Sequence, residues 1–161
     1  MTHPRDAAAH DADSREAQAL AERLVGTMLA GDAFSRWLGV EVAFLAPAAC
    51  TLRMRVRDEM VNGFGVCHGG VTFSLADSAL AFASNTHGRV TVSVDNAITY
   101  PAPVHAGDTL VAVAEEESAS GRLAYYRVVV RNQRDETVAL FRGTVYRTQR
   151  PLLGSPDARG G

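Results

Sequence analysis

The segment VNGFGVCHGGVTFSLADSALAFAS, Val61 to Ser84, carries one carboxylate, Asp77, in a setting that gives it little reason to be there. From Val71 to Ser84 every other residue is apolar, small or hydroxyl-bearing, with no solvated stripe. A helix of that composition is expected to be buried on all sides. A carboxylate there is costly unless paired, hydrogen-bonded or protonated, and a structural Asp satisfied by neighbouring backbone or hydroxyl groups meets that demand as well as a reactive one. Directly upstream, Gly69 and Gly70 have no side chains to screen the N–H groups that open the helix. Such free donors, aligned with the helix dipole, polarise a carbonyl oxygen.

The two features cannot serve one acyl group from a single chain. Asp77 lies eight residues beyond Gly69, which at 1.5 Å per residue separates them by roughly 12 Å along the axis. Two such helices running antiparallel across a two-fold axis bring the carboxylate of one to the N-terminus of the other, giving two shared sites per dimer.

The elements that must position these groups follow from the hydrophobic spacing. Asp13 and Glu16 form a capping pattern ahead of Ala17, Leu20, Ala21, Leu24, Val25 and Met28, which predicts an amphipathic helix ending near Gly31. A short second helix is expected between Asp32 and Gly39, with Phe34, Trp37 and Leu38 covering the core and Trp37 as a core plug. In CTLRMRV the apolar Cys50, Leu52, Met54 and Val56 alternate with Thr51, Arg53 and Arg55, so Val40 to Val56 reads as a hairpin broken at Pro47. Four further strands, RVTVSVDNAITY, DTLVAVAEEE, LAYYRVVVRN and TVALFRGTVYRT, are separated by PAPVHAG, SASG and QRDE, and are expected to form a meander. The expected fold is α+β, an antiparallel sheet wrapped around one central buried helix.

Composition narrows the classes of function. A chain of 161 residues makes one domain, expected over residues 13–148 with flexible tails at 1–12 and 149–161. Hydrophobic residues are 47%, charged residues 21% and the net charge is −2, so no nucleic-acid partner is implied. All 16 basic residues are Arg, without a basic cluster, which reads as genome composition. The N-terminus lacks an apolar leader and no run is long enough to span a membrane, so a cytoplasmic location is expected. Cys50 and Cys67 fit no metal spacing. Cys67 beside His68 is a poor thiol dyad, because sequence neighbours seldom present side chains to each other. His3, His10, His87 and His105 look incidental, and Gly107-Asp108 reads as a turn. Asn62-Gly63 is by itself an ordinary turn dipeptide.

NGFGVCHGGVTFSLADSALAFAS, together with VSVDNAITYPAPVHAGDTL and TVALFRGTVYRT, resembles the hotdog-fold acyl-CoA thioesterases, most closely the phenylacetate-degradation (PaaI-type) branch, over roughly Phe34 to Thr148. HGG with an Asp eight residues after the first Gly carries most of that specificity. The resemblance implies Asp77 as nucleophile or general base and Gly69 as backbone donor to the thioester oxygen. It implies Asn62 as a polar partner placing substrate or water, His68 as shaping the loop, and Ser93 as a hydroxyl assisting near the carboxylate. It also implies aryl-acetyl-CoA substrates, no cofactor or metal, and a homo-oligomer built as a dimer of dimers. The CoA phosphates would call for surface arginines, with Arg122, Arg134 and Arg147 as candidates. Two rivals share the fold. An acyl-CoA hydratase needs a catalytic His in an HxxxxPG pattern, and HGGVTFS lacks the Pro-Gly; a non-catalytic acyl-CoA binding module would keep the pocket and tolerate loss of Asp77.

Overall fold

The computed structural model describes residues 4–154, with side chains from residue 12 onward. Helices α1 (Pro4–Gly31) and α2 (Ala33–Leu38) lead into strands β1 (Glu41–Ala46) and β2 (Ala49–Arg55). A 3-10 turn at Asp58–Met60 precedes helix α3 (Gly69–Ser84), and β3 (Arg89–Thr99), β4 (Thr109–Ser120), β5 (Leu123–Arg131) and β6 (Thr137–Pro151) follow. Two expected boundaries move. Helix α1 begins at Pro4, so Asp13 and Glu16 are exposed positions inside a longer helix and not its cap. Strand β6 runs past Thr148 to Pro151. Residues 1–3 and 155–161 of the expected tails lie outside the described residues. No helix among the described residues is long and apolar enough to cross a membrane.

Local chemistry explains the helices. On α1 the predicted stripe turns inward: Ala21, Leu24 and Val25 are buried, and Ala17, Leu20 and Met28 half-buried. Asp32 caps α2 by accepting from the Ser35 N–H at 3.0 Å, and Gly39 ends it in the left-handed region at φ 77°. Ser35 Oγ then meets Ser78 Oγ at 3.1 Å, pinning α2 to α3. Trp37 departs from expectation. With only six residues α2 turns one flank inward, and Ser35 and Leu38 occupy it, so the indole is left 51% exposed.

The sheet is six-stranded and antiparallel in the order β1-β2-β4-β5-β6-β3. Only β4, β5 and β6 form the expected meander. Strand β3 pairs with β6 at the far edge, and the segment between Thr99 and Thr109 returns across β6 and β5. Strand propensity marks extended residues without naming the edge they join. The choice is made by α3, which touches β2 at one side of the sheet and β3 at the other and so carries the chain across.

Small residues line both sides of the helix–sheet contact: Ala76, Ala79 and Ala83 on α3, with Ala112, Ala114 and Ala124 on the sheet, all fully buried. Large side chains fill the flanks, among them Leu75, Phe82, Tyr126 and Phe141. Burying an aliphatic or aromatic side chain of this size contributes about 1.5–3 kcal/mol. Gly143, on β6 opposite Asn96 of β3, has no room for a side chain. A Cβ there would sit 2.5 Å from Leu80 Cδ2 and 2.9 Å from Asn96 Oδ1. Gly143→Ala should therefore cost about 1–3 kcal/mol through overpacking, read as a lowered chemical-denaturation midpoint. An unchanged midpoint would mean that Leu80 and Asn96 yield without cost.

Candidate functional site

The first turn of α3 is held open at its N-terminus by its own neighbours. His68 N donates to Met60 O at 2.8 Å and Cys67 N to Val104 O at 2.7 Å, fixing the incoming chain. His68 Nδ1 then accepts from Gly70 N at 2.9 Å, so the imidazole caps the helix. The Gly69 N–H has no acceptor among the described residues. Gly69 O accepts from Tyr100 Oη at 2.9 Å, and a Cβ on Gly69 would lie 3.2 Å from the Tyr100 ring. Glycine at this position thus keeps one unsatisfied donor at a helix N-terminus in front of an aromatic wall.

Asn62 uses its side-chain oxygen within its own loop. Its Oδ1 accepts from Phe64 N at 2.8 Å, its N–H donates to Val66 O at 2.8 Å, and Gly65 adopts φ 79° to close the turn. Its side-chain amide nitrogen donates to nothing among the described residues. The turn reading of Asn62-Gly63 therefore describes this chain, with the side-chain NH2 left free for another molecule.

Asp77 occupies the second cluster. Contrary to the expectation of burial on all sides, α3 shows an outward stripe in which Gly70 is exposed and Ser74, Asp77 and Ala81 are half-buried. Their spacing of four, three and four places them on one helical face. Small and hydroxyl residues there gave no polar signal in the sequence. Asp77 Oδ1 accepts from Asn96 Nδ2 at 2.9 Å, and Asn96 Oδ1 accepts from Ser93 Oγ at 2.8 Å. Residues three apart face opposite sides of a regular strand. A register shift between Ser93 and Asp95 against β6 inserts one residue and turns Ser93 and Asn96 to the same side. Burial raises the Asp77 carboxyl above its ordinary value of 3.8, with the Asn96 amide pulling the other way. Asp77 Oδ2 takes no hydrogen bond among the described residues.

Within one chain the expected residues form two clusters. Ser93 joins Asp77 through Asn96, while Asn62, His68 and Gly69 gather at the helix start. Asn96 and Tyr100 were missed by sequence reasoning. Asn96 sits three residues beyond Ser93, and only the strand irregularity makes that spacing meaningful. Burial disfavours the thiolate at both cysteines: it pushes Cys50 up to about 12 and raises Cys67, whose Sγ contacts the His68 carbonyl and not its ring. Of the arginines proposed for phosphates, Arg147 is half-buried against Glu116 and Arg134 pairs with Glu136 at 3.3 Å, so both are already committed. Arg122 donates to Tyr146 Oη at 2.7 Å and remains exposed. Among the described residues no group of His, Cys, Asp or Glu is arranged to hold a metal ion.

Comparison with known proteins agrees with this architecture. The Thioesterase superfamily profile matches residues 64–139. The acyl-coenzyme A thioesterase PaaI of Escherichia coli K12 is 36% identical over 127 residues, covering 79% of this chain and 91% of that protein. Its solved structure, described as the PaaI protein from the phenylacetic acid degradation operon, superposes with a TM-score of 0.81 at 34% identity over 83% of this chain and 97% of that one. A variant of the phenylacetic acid degradation protein PaaI from Thermus thermophilus gives 0.70 at 41% identity, covering 73% and 100%. Human acyl-coenzyme A thioesterase 13 is 34% identical over 103 residues, 62% of this chain and 74% of that protein. With the sheet packed on α3, the glycine-opened helix and these relatives in agreement, the chain belongs to the thioesterase superfamily, in its hotdog-fold, PaaI-type branch.

Proposed function

We propose that the protein hydrolyses acyl-CoA thioesters, with aryl-acetyl-CoA such as phenylacetyl-CoA or its hydroxylated relatives as substrate and phenylacetate degradation as its setting. The observation carrying the reading is the pairing of a free N–H at Gly69 with a carboxylate, Asp77, held ready by the Asn96 amide. The names of the PaaI relatives support the acyl group. A thioester carbonyl is already electrophilic, so one oriented carboxylate and one preorganised donor suffice for hydrolysis. Asp77 either attacks the acyl carbon or takes a proton from the attacking water, and both require it ionised. Ser93 steadies Asn96, which steadies Asp77. The first test is release of free CoA thiol from phenylacetyl-CoA by the purified protein. Turnover lost in Asp77→Asn, with CoA still bound, fits the reading; binding without turnover in the parent protein would favour the binding module.

The roughly 12 Å between Gly69 and Asp77 along α3 supports reading each site as built from two chains. The outward stripe of α3 and the outer edge of β3, where Val92 and Val94 are 45% and 56% exposed, offer the surface for a two-fold partner. We place the protein in the cytoplasm as a dimer of such dimers. Co-expressing Asp77→Ala and Asn62→Ala chains should then restore about a quarter of parental activity, since half the random pairs are mixed and each rebuilds one of two sites. Purified mixed dimers as inactive as both parents would place the two residues in one site of one chain.

The raised Asp77 carboxyl has two consequences. Because Asp77 must be ionised, kcat/KM should fall on the acid side with a midpoint above 3.8, and Asn96→Ala should move that midpoint higher by deleting the donor that favours the anion. A midpoint unmoved in Asn96→Ala would remove Asn96 from the mechanism. For stability the sign runs the other way. A carboxyl whose folded value lies above its unfolded one stabilises the fold only while protonated, and loses that contribution as pH rises through the window between the two. Asp77→Asn should therefore melt above the parent at pH 7, with the difference shrinking as pH falls through that window towards about 4.

A further inference from the structure

The groove between α2 and the start of α3 contains an aromatic pair that the hydrolytic groups leave unused. Phe34 and Trp37 are 53% and 51% exposed, and stack with centroids 5.9 Å apart and planes 23° from parallel. The pair is not loose. Arg57 Cζ lies 5.2 Å from the Trp37 ring centroid, and its guanidinium donates to Trp37 O at 2.9 Å and Leu38 O at 3.0 Å, while Nε holds Glu59 at 2.6 Å. The same contacts cap the carbonyl end of α2. A platform fixed before ligand arrives loses little side-chain entropy on binding.

That platform opens directly onto the first turn of α3. The groove, about 360 Å³, is bounded by Phe34, Trp37 and Met60 on one side and by His68, Gly70 and Ser74 on the other. A second cavity of about 300 Å³ lies at the opposite flank of the same turn, between Gly69, Cys67, Tyr100 and the segment Pro101 to Val104. Gly69 lines this second cavity, and its neighbour Gly70 lines the groove. A thioester has two arms diverging from its carbonyl carbon, and two cavities diverging from one carbonyl donor match that shape.

We propose that Phe34 and Trp37 form the acyl subsite, stacking a flat aromatic ring of the acyl group, with Arg57 as a positioning residue that holds the indole. The thiol arm of CoA leaves through the cavity beside Tyr100. This rests on the thioesterase reading and adds which residues select the ring. The adenine of CoA is also flat, but it sits at the far end of the pantetheine arm, whereas this groove begins at Gly70, beside the carbonyl donor. Offset stacking selects planar groups over linear chains of similar size.

Trp37 is the single tryptophan of the sequence, so its fluorescence reports the subsite alone. The probes are thioethers that cannot be hydrolysed: S-(2-phenylethyl)-CoA, S-ethyl-CoA and CoA itself. The phenylethyl compound should change the emission and bind more tightly than S-ethyl-CoA. By calorimetry Trp37→Ala should weaken the phenylethyl compound by about three- to tenfold and leave S-ethyl-CoA unchanged, with Trp37→Phe restoring most of the loss. Arg57→Ala should weaken the same compound selectively, and a merely structural role would weaken all three together. Equal emission changes with all three probes would assign the platform to adenine and overturn the proposal, as would no change with any. Because these readouts need no turnover, a protein that stacks the ring without releasing CoA would refute the hydrolase and spare the subsite.

Discussion

One amide joins the helix of this protein to the edge of its sheet. Asn96 donates to Asp77 on α3 and accepts from Ser93 on its own strand, so a single side chain fixes the orientation of a carboxylate on a different element. For that contact to exist, β3 must lie beside β6, the strand must carry an irregularity that turns Ser93 and Asn96 to one side, and Gly143 opposite must have no side chain. Each condition is a property of the sheet. The carboxylate is tolerated on a largely apolar helix because one oxygen is hydrogen-bonded and its face is only half-covered.

The start of α3 solves a different problem with similar means. A helix N-terminus has more N–H groups than acceptors, and here most of them are dealt with: His68 caps Gly70, and Val71 donates to the His68 carbonyl at 2.9 Å. Gly69 is left over, and its carbonyl is held by Tyr100 so that the first turn cannot fray away from the cavity beside it. Its N–H is left without an acceptor among the described residues, while the rest of the loop, through Asn62 and Gly65, is internally satisfied.

The α2 region shows how a packing choice becomes a surface. Ser35 and Leu38 turn inward, the former bonding to Ser78 of α3, and that choice rotates Phe34 and Trp37 outward. Arg57, reaching from beyond the hairpin, then caps α2 and stacks on the indole at once. Exposed aromatics held this way are pre-shaped surface, unlike scattered apolar residues that need no explanation.

Much of this architecture was legible in the chain. The spacing of Leu24 and Val25 marked the buried face of α1, the alternation from Cys50 to Val56 marked a strand, Asp32 and Gly39 bounded α2, and the run from Gly69 to Ser84 marked the central helix. The signals are local: side-chain period, caps and turn residues act over a few positions. HGG followed by Asp77 marked where to look for chemistry, and the hotdog resemblance followed from it. Packing decided who sits beside whom. Whether β3 joins β4 or β6, whether Trp37 points in or out, and which atoms of Asn96 and Asp77 are engaged all depend on contacts between residues distant in the chain. Strand propensity and helical period are blind to them, because both describe how a segment folds against water and neither describes which other segment replaces that water. Local pattern was enough to specify the elements and the carboxylate; the passage of α3 across the sheet supplied the partner that aims it.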